Sequence, residues 1–310
     1  MLARLRAGRV GLRAALWRAE GAEAGLVLLL PGRTEYLEKY APVAELLAAR
    51  GFAVASLDWR GQGLSDRDPR VGRLGHVGDF AEYQEDLRAL LGWEEVASRP
   101  GPRLLLAHSM GGCIGLRALT DGALAAARPQ AAVFSAPMWG LAPTGLPEGM
   151  VRLIAQGACA VGLSRRQARG RAEAPTYVLE ADFEGNVLTT DGAEWTRFVE
   201  TARAHPELTT TAPTFGWLRA AFREMDALSR AAPPVPRLLL LGDREAVVAP
   251  EAIRAHAARG AGAELAPVPG SPHEPLMHRP AHPAGAAAWA AIDAFLAARG
   301  LGRPEAKGGL

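Results

Sequence analysis

The chain has 310 residues, 49% of them hydrophobic and 22% charged, with a formal net charge of +2. That balance is ordinary for a folded globular chain and too apolar for a disordered one. No run of five basic residues occurs, which argues against a nucleic-acid partner, and two cysteines, Cys113 and Cys159, are too few for a disulfide scaffold and point to a reducing cytoplasm.

The first residues, Met1-Leu2-Ala3-Arg4-Leu5-Arg6, are basic, but no apolar core follows before Glu20 and no cleavage-like site is present, so they do not read as a secretory leader. The longest apolar strings have only strand length, too short for a membrane-spanning helix. Residues 10–19 alternate loosely and predict an early antiparallel strand or hairpin. Residues 25–30 are a fully apolar strand stopped by Pro31-Gly32, a strong turn signal. Residues 39–50 place Tyr40, Val43, Leu46 and Leu47 on one helical face. A strand over 52–58, a glycine-rich loop over 60–65 and a helix over 77–91 follow.

Residues 103–112 then read Arg-Leu-Leu-Leu-Ala-His-Ser-Met-Gly-Gly. An apolar strand running into a serine, with helical spacing over 113–119, is the nucleophile-elbow pattern, and Ser109 sits at its tip. The turn exposes the serine Oγ and demands small neighbours two residues away on each side; here these are Ala107 and Gly111. A serine that merely caps a helix would need neither the buried strand nor the small flanks.

Residues 131–135 form another short strand, ended by Ala136-Pro137. The strand–helix rhythm breaks from Met138 to about Ala232, a stretch with helical patterns and the bulky Trp139, Trp195, Phe198, Phe215, Trp217 and Phe222. It resumes with strands over 237–241 and 264–268 and helices over 249–259 and 283–298. Strands alternating with helices imply a mostly parallel sheet covered on both faces. The division predicted is a core over 1–137 and 233–301, an insertion over 138–232 and a disordered tail over 302–310.

A nucleophilic serine needs a base, an acid that orients the base, and an oxyanion hole, all beyond the carboxyl ends of strands. His273 lies in the loop after the last predicted strand; His278 and His282 lie nearer the final helix, and alternation of side chains points His108 away from the serine. The spacing of His273, His278 and His282 does not put three metal ligands on one helical face, so no metal is expected. The loop after strand 237–241 offers Asp243 and Glu245 as the acid, and periodicity alone does not choose between them. Backbone N–H groups of Met110 and of the turn after Leu30, through Arg33, supply the oxyanion hole. Gly61 and Gly63 lack the third glycine of a dinucleotide loop, since position 66 is Asp, and no cofactor is expected.

With these parts in order, the chain resembles the α/β-hydrolase superfamily, and within it the monoacylglycerol lipase and lysophospholipase branch. The strings that carry the resemblance are Leu-Leu-Leu-Pro-Gly-Arg at 28–33, Asp-Trp-Arg-Gly-Gln-Gly-Leu-Ser at 58–65, Ala-His-Ser-Met-Gly-Gly at 107–112 and Ser-Ala-Pro-Met at 135–138. Gly-Asp-Arg-Glu-Ala-Val-Val at 242–248 and Gly-Ser-Pro-His-Glu at 270–274 complete them. The resemblance implies an α/β-hydrolase fold with an inserted helical cap. In that branch the acid falls three residues after the glycine that ends its strand, which selects Glu245, where aspartate is more frequent, and keeps Asp243 as the alternate. Pro31 stands where the family usually has His.

The resemblance further implies a serine hydrolase acting through an acyl-enzyme on a lysophospholipid or monoacylglycerol. It leaves room for peripheral contact of the cap with the inner membrane surface. A small-ester esterase, an aminopeptidase of the same fold and a non-catalytic binding protein are the competing readings.

Overall fold

The computed structural model describes residues 1–99, 103–125, 129–143, 145–168, 170, 175–259 and 261–302. All but the first residue of the tail predicted over 302–310 lies outside them. The strands are β1 (Leu2–Ala7), β2 (Val10–Trp17), β3 (Gly25–Leu30), β4 (Phe52–Leu57), β5 (Arg103–His108), β6 (Ala131–Ser135), β7 (Arg237–Gly242) and β8 (Ala263–Val268). Their order in one sheet is β1-β2-β4-β3-β5-β6-β7-β8. The β1–β2 and β2–β4 pairs are antiparallel and every later pair is parallel.

The helices in chain order are α1 (Leu37–Ala49), α2 (Ala81–Leu91), the single turn α3 (Glu94–Ala97), α4 (Met110–Thr120), α5 (Glu148–Ala160), the single turn α6 (Tyr177–Glu180), α7 (Gly192–Ala204), α8 (Phe215–Leu228), α9 (Pro250–Arg259) and α10 (Pro283–Ala297). No helix among the described residues is long and apolar enough to cross a membrane.

Two apolar layers follow directly from the period of two along each strand. On one face Val27, Leu29, Leu104, Leu106, Leu238 and Leu240 pack with Tyr40, Val43 and Leu47 of α1 and Trp289, Ile292 and Phe295 of α10. On the other, Leu28, Leu30, Leu105, Ala107, Leu239 and Leu241 pack with Tyr83 and Leu87 of α2, Ile114 and Leu116 of α4 and Ile253 of α9. Continuous leucine runs are therefore the signature of strands buried on both sides.

The N-terminal strand β1 is a departure from the sequence reading, which began the sheet at residue 10. Ala3, Leu5 and Ala7 alternate with Arg4 and Arg6, and β1 pairs with β2 across a turn at Gly8-Arg9. Arg4 faces solvent and meets Asp66, so the basic residues are the wet face of an edge strand.

Helices α5–α8 all lie between β6 and β7. The last of them, α8, contributes Trp217, Ala221 and Met225 to the same apolar layer as α4, and Arg117 of α4 pairs with Glu224 of α8 at 2.7 Å. It therefore forms a wall fixed to the sheet as well as part of the insertion.

Candidate active site

The carboxyl end of β5 delivers Ser109 at φ 51° and ψ −117°, in the left-handed half of backbone space where a side chain costs energy. The chain then enters α4 at once. A Cβ added at Gly111 would overlap the carbonyl oxygens of Leu30 and Pro31, which explains why that flank must be glycine. Ala107 at the other flank is buried with room for its methyl group against Gly115.

His273 follows β8, and its Nε2 stands 3.0 Å from Ser109 Oγ. Its Nδ1 stands 2.8 Å from Glu245 Oε2. The other oxygen of Glu245 accepts the N–H groups of Val247 and Val248 at 2.7 and 3.1 Å, so both oxygens are committed. Burial pushes the Glu245 carboxyl up, but His273 and these two N–H groups outweigh it and hold the group below its ordinary value. Asp243 is exposed and instead accepts the Gly270 N–H at 2.8 Å, closing the turn that presents His273. The insertion secures the same loop, because the N–H groups of His273 and Glu274 donate to the carbonyls of Val187 and Leu188 at 3.1 and 3.0 Å.

The turn after β3 is locked from outside. Glu35 accepts the Gly32 N–H, Gln62 Oε1 accepts the Thr34 N–H at 2.7 Å, and Gln62 Nε2 donates to the Gly32 carbonyl at 3.1 Å. Trp59 Nε1 donates to the Pro31 carbonyl at 2.9 Å. The Arg33 N–H between them is left without a partner among the described residues. Met110, as the first residue of α4, has no preceding helical turn to receive its N–H.

Ser109, His273 and Arg33 open into a cavity of about 740 Å³. Much of its lining is apolar, with Leu141, Val151, Ile154, Phe215 and Phe222 contributed by the segment between β6 and β7. That volume falls within the range of about 300–1,000 Å³ in which pockets hold drug-sized molecules.

A family model described as serine aminopeptidase, S33, matches residues 21–279. The chain belongs to this family of α/β-hydrolases. Lysophospholipase L2 of Escherichia coli (strain K12) is 33% identical over 228 residues, 72% of this chain; the chain spans 64% of that relative's length. Among solved structures, a soluble variant of monoglyceride lipase from Saccharomyces cerevisiae superposes with a TM-score of 0.70 at 19% identity, covering 88% of this chain and 87% of that one. A carboxyl esterase from Bacillus coagulans gives a TM-score of 0.71 at 16% identity, covering 97% of both chains. At these identities the two structures establish the fold, an eight-stranded mostly parallel sheet flanked by helices.

Around the site, the α/β-hydrolase carries a buried ionic cluster that sequence reasoning missed. Lys39 Nζ bridges Glu35 at 2.8 Å and Glu274 at 2.5 Å, and Tyr40 donates its hydroxyl to Glu35. His108 Nε2 lies 3.7 Å from Glu35, and its ring centroid is 4.9 Å from that of His273. Glu35, His108 and Glu274 bring ligand atoms within 4.8 Å of one another, but the Lys39 ammonium occupies the cationic place in that set.

Alternation had sent His108 away from Ser109; the positive φ at Ser109 breaks that alternation, and both side chains line the cavity. Burial lowers the His108 pKa to about 4, against the pull of Glu35, so it is a neutral neighbour of His273. His278 and His282 lie apart from the serine, bonding respectively to the Glu274 carbonyl and to the Ala284 N–H that opens α10.

For Glu35, burial pushes the pKa up, but Lys39 leads a larger opposing pull that lowers it to about 2. Glu35 therefore contributes stability that is present above its ordinary value of 4.5 and is lost as pH falls toward 2. Lys39→Met would leave buried carboxylates unpaired and is expected to cost about 3–5 kcal/mol at pH 7. In urea melts the gap to the parent should narrow as pH falls through the carboxylate range; a gap independent of pH would contradict this account.

Proposed function

We propose that this chain is a serine ester hydrolase that cleaves the acyl ester of a single-chain lipid through an acyl-enzyme. The observation that carries the proposal is the continuous relay from Ser109 Oγ through His273 to Glu245, at 3.0 and 2.8 Å, opening into a cavity with an apolar wall. Ser109 Oγ attacks the ester carbonyl while His273 Nε2 takes its proton. Glu245 keeps the other ring nitrogen protonated and stabilises the imidazolium. The N–H groups of Met110 and Arg33 receive the oxyanion. His273 then gives its proton to the leaving alcohol, and water activated by the same ring releases the fatty acid.

Residues 138–232 serve as the cap in this reading, over a core of 1–137 and 233–301. Its apolar side chains along the cavity favour an acyl chain over a purely polar substrate. Met150, Leu153 and Val161 of this segment are exposed and do not line the cavity, which supports peripheral contact with a lipid surface. The names of the relatives, lysophospholipase and monoglyceride lipase, favour the same substrate class.

The test is a panel of a short-chain ester, long-chain monoacyl lipids and an aminoacyl amide, assayed together with labelling by a fluorophosphonate probe. The expected result is labelling of the parent protein and the highest kcat/KM on a monoacyl lipid. Equal or better turnover of the aminoacyl amide would overturn the lipid reading, and an unlabelled protein would overturn the mechanism.

A further inference from the structure

Two cationic side chains line the cavity among the described residues, and they are treated differently by the fold. Lys39 is matched by two carboxylates. Arg33 has none within ion-pair distance among the described residues. One of its N–H groups donates to the Thr211 carbonyl at 2.9 Å, and its guanidinium lies 5.4 Å from the centroid of the Trp217 ring. Arg33 itself lines the cavity, and no other hydrogen bond of its guanidinium is found among the described residues.

The surroundings add positive charge. Arg67 and Arg73 both donate to the Thr209 carbonyl, two residues from the Arg33 contact, at 3.3 and 3.4 Å. Segment 209–211 is thus gripped by three guanidinium groups through uncharged oxygens. Burial lowers the Arg33 pKa to about 10, a sign of a charge held out of bulk water without a counter-ion. Arg33 is half-buried; Arg237 is fully buried without an acid, but it spends its contacts on the carbonyls of Pro233 and Val235 and does not line the cavity. A buried charge left unpaired is costly unless something else completes it.

We propose that the Arg33 side chain binds the phosphodiester of a lysophospholipid whose acyl ester sits at Ser109. This rests on the lipid-ester reading above and selects, within it, the phosphate-bearing substrate over the neutral monoacylglycerol. The same residue offers its backbone N–H to the oxyanion and reaches with its side chain to Thr211 and Trp217. In a lysophospholipid only the glycerol backbone separates ester from phosphate, a span that an extended arginine side chain matches. A planar guanidinium meets a phosphate through paired charge-assisted hydrogen bonds. A monoacylglycerol brings a hydroxyl to that place and leaves the charge unmatched.

The experiment compares kcat/KM for a lysophosphatidylethanolamine and a monoacylglycerol with the same acyl chain, in the parent, Arg33→Met and Arg33→Lys. The ratio of the two is expected to fall at least tenfold in Arg33→Met, through KM of the phospholipid, with an intermediate fall in Arg33→Lys, which keeps the charge and loses the fork. Calorimetry provides a second readout: octanoyl lysophosphatidylethanolamine should bind Ser109→Ala protein at least tenfold more tightly than Ser109→Ala/Arg33→Met protein. If Arg33→Met does not fold, the Arg33→Lys ratio and the corresponding Ser109→Ala/Arg33→Lys titration carry the test. An unchanged ratio with both lipids hydrolysed, or equal binding, overturns the phosphate assignment alone. Failure of the parent to hydrolyse either lipid overturns the lipid-ester reading with it.

Discussion

Ser109→Ala and His273→Ala are each expected to lower kcat on an acyl ester by on the order of 10⁶-fold, and the double variant should be no slower than either single one. The reason is that the hydroxyl and the imidazole act as one unit. Without the base at 3.0 Å the serine is an ordinary alcohol, and without the serine the base has no nucleophile to activate. Residual turnover then comes from binding and from the N–H groups at Arg33 and Met110, which neither substitution removes. Initial rates on a chromogenic ester, corrected for spontaneous hydrolysis, decide the matter. A single variant that keeps more than about one-hundredth of the parent rate would contradict the assigned roles, as would strictly multiplicative losses in the double variant.

Glu245→Gln is expected to cost about 10⁴-fold in kcat, against less than about threefold for Asp243→Asn. An amide in place of the carboxylate can present its NH₂ to His273 Nδ1, which favours the tautomer with its proton on Nε2, where it cannot accept from Ser109. The carboxylate is suited to its task because it is held ionised and fixed, with one oxygen on Nδ1 and the other on two backbone N–H groups. Asp243 touches the histidine loop only through the Gly270 N–H, so its removal loosens a turn without changing the tautomer. Comparable losses in the two variants would show that the loop geometry matters more than the proton on Nδ1.

The sheet was legible because its strands are buried on both sides, and a run such as Leu26-Val27-Leu28-Leu29-Leu30 has no other economical reading. The elbow was legible for a different reason: Ser109 and Gly111 obey local backbone geometry, which a short string must satisfy by itself. What escaped were interactions between loops distant in sequence. Gln62 locks a turn 28 residues away, and Lys39 meets Glu274 at a separation of 235, so no periodicity records either pairing. The one available signal was that Glu35 and Lys39 are four apart at the start of a helix, close beside the oxyanion turn. Strand β1 escaped because its arginines were weighed as charge and not as every second residue of a strand. Glu245 and Asp243 differ in reach and direction around one turn, Glu245 meeting His273 and Asp243 meeting Gly270, and spacing alone does not record that difference.

The locking of the turn at residues 31–34 has a consequence for how much this site can vary. Among the described residues, the hydrogen bond that fixes position 31 goes to its carbonyl oxygen, from Trp59. All twenty amino acids carry that oxygen, so the identity of the side chain at position 31 does not decide whether this bond to the turn can form. The latitude does not extend to the partners. Trp59, Gln62 and Glu35 act through their own side chains, and each therefore limits substitution at a position distant in sequence from the serine it serves.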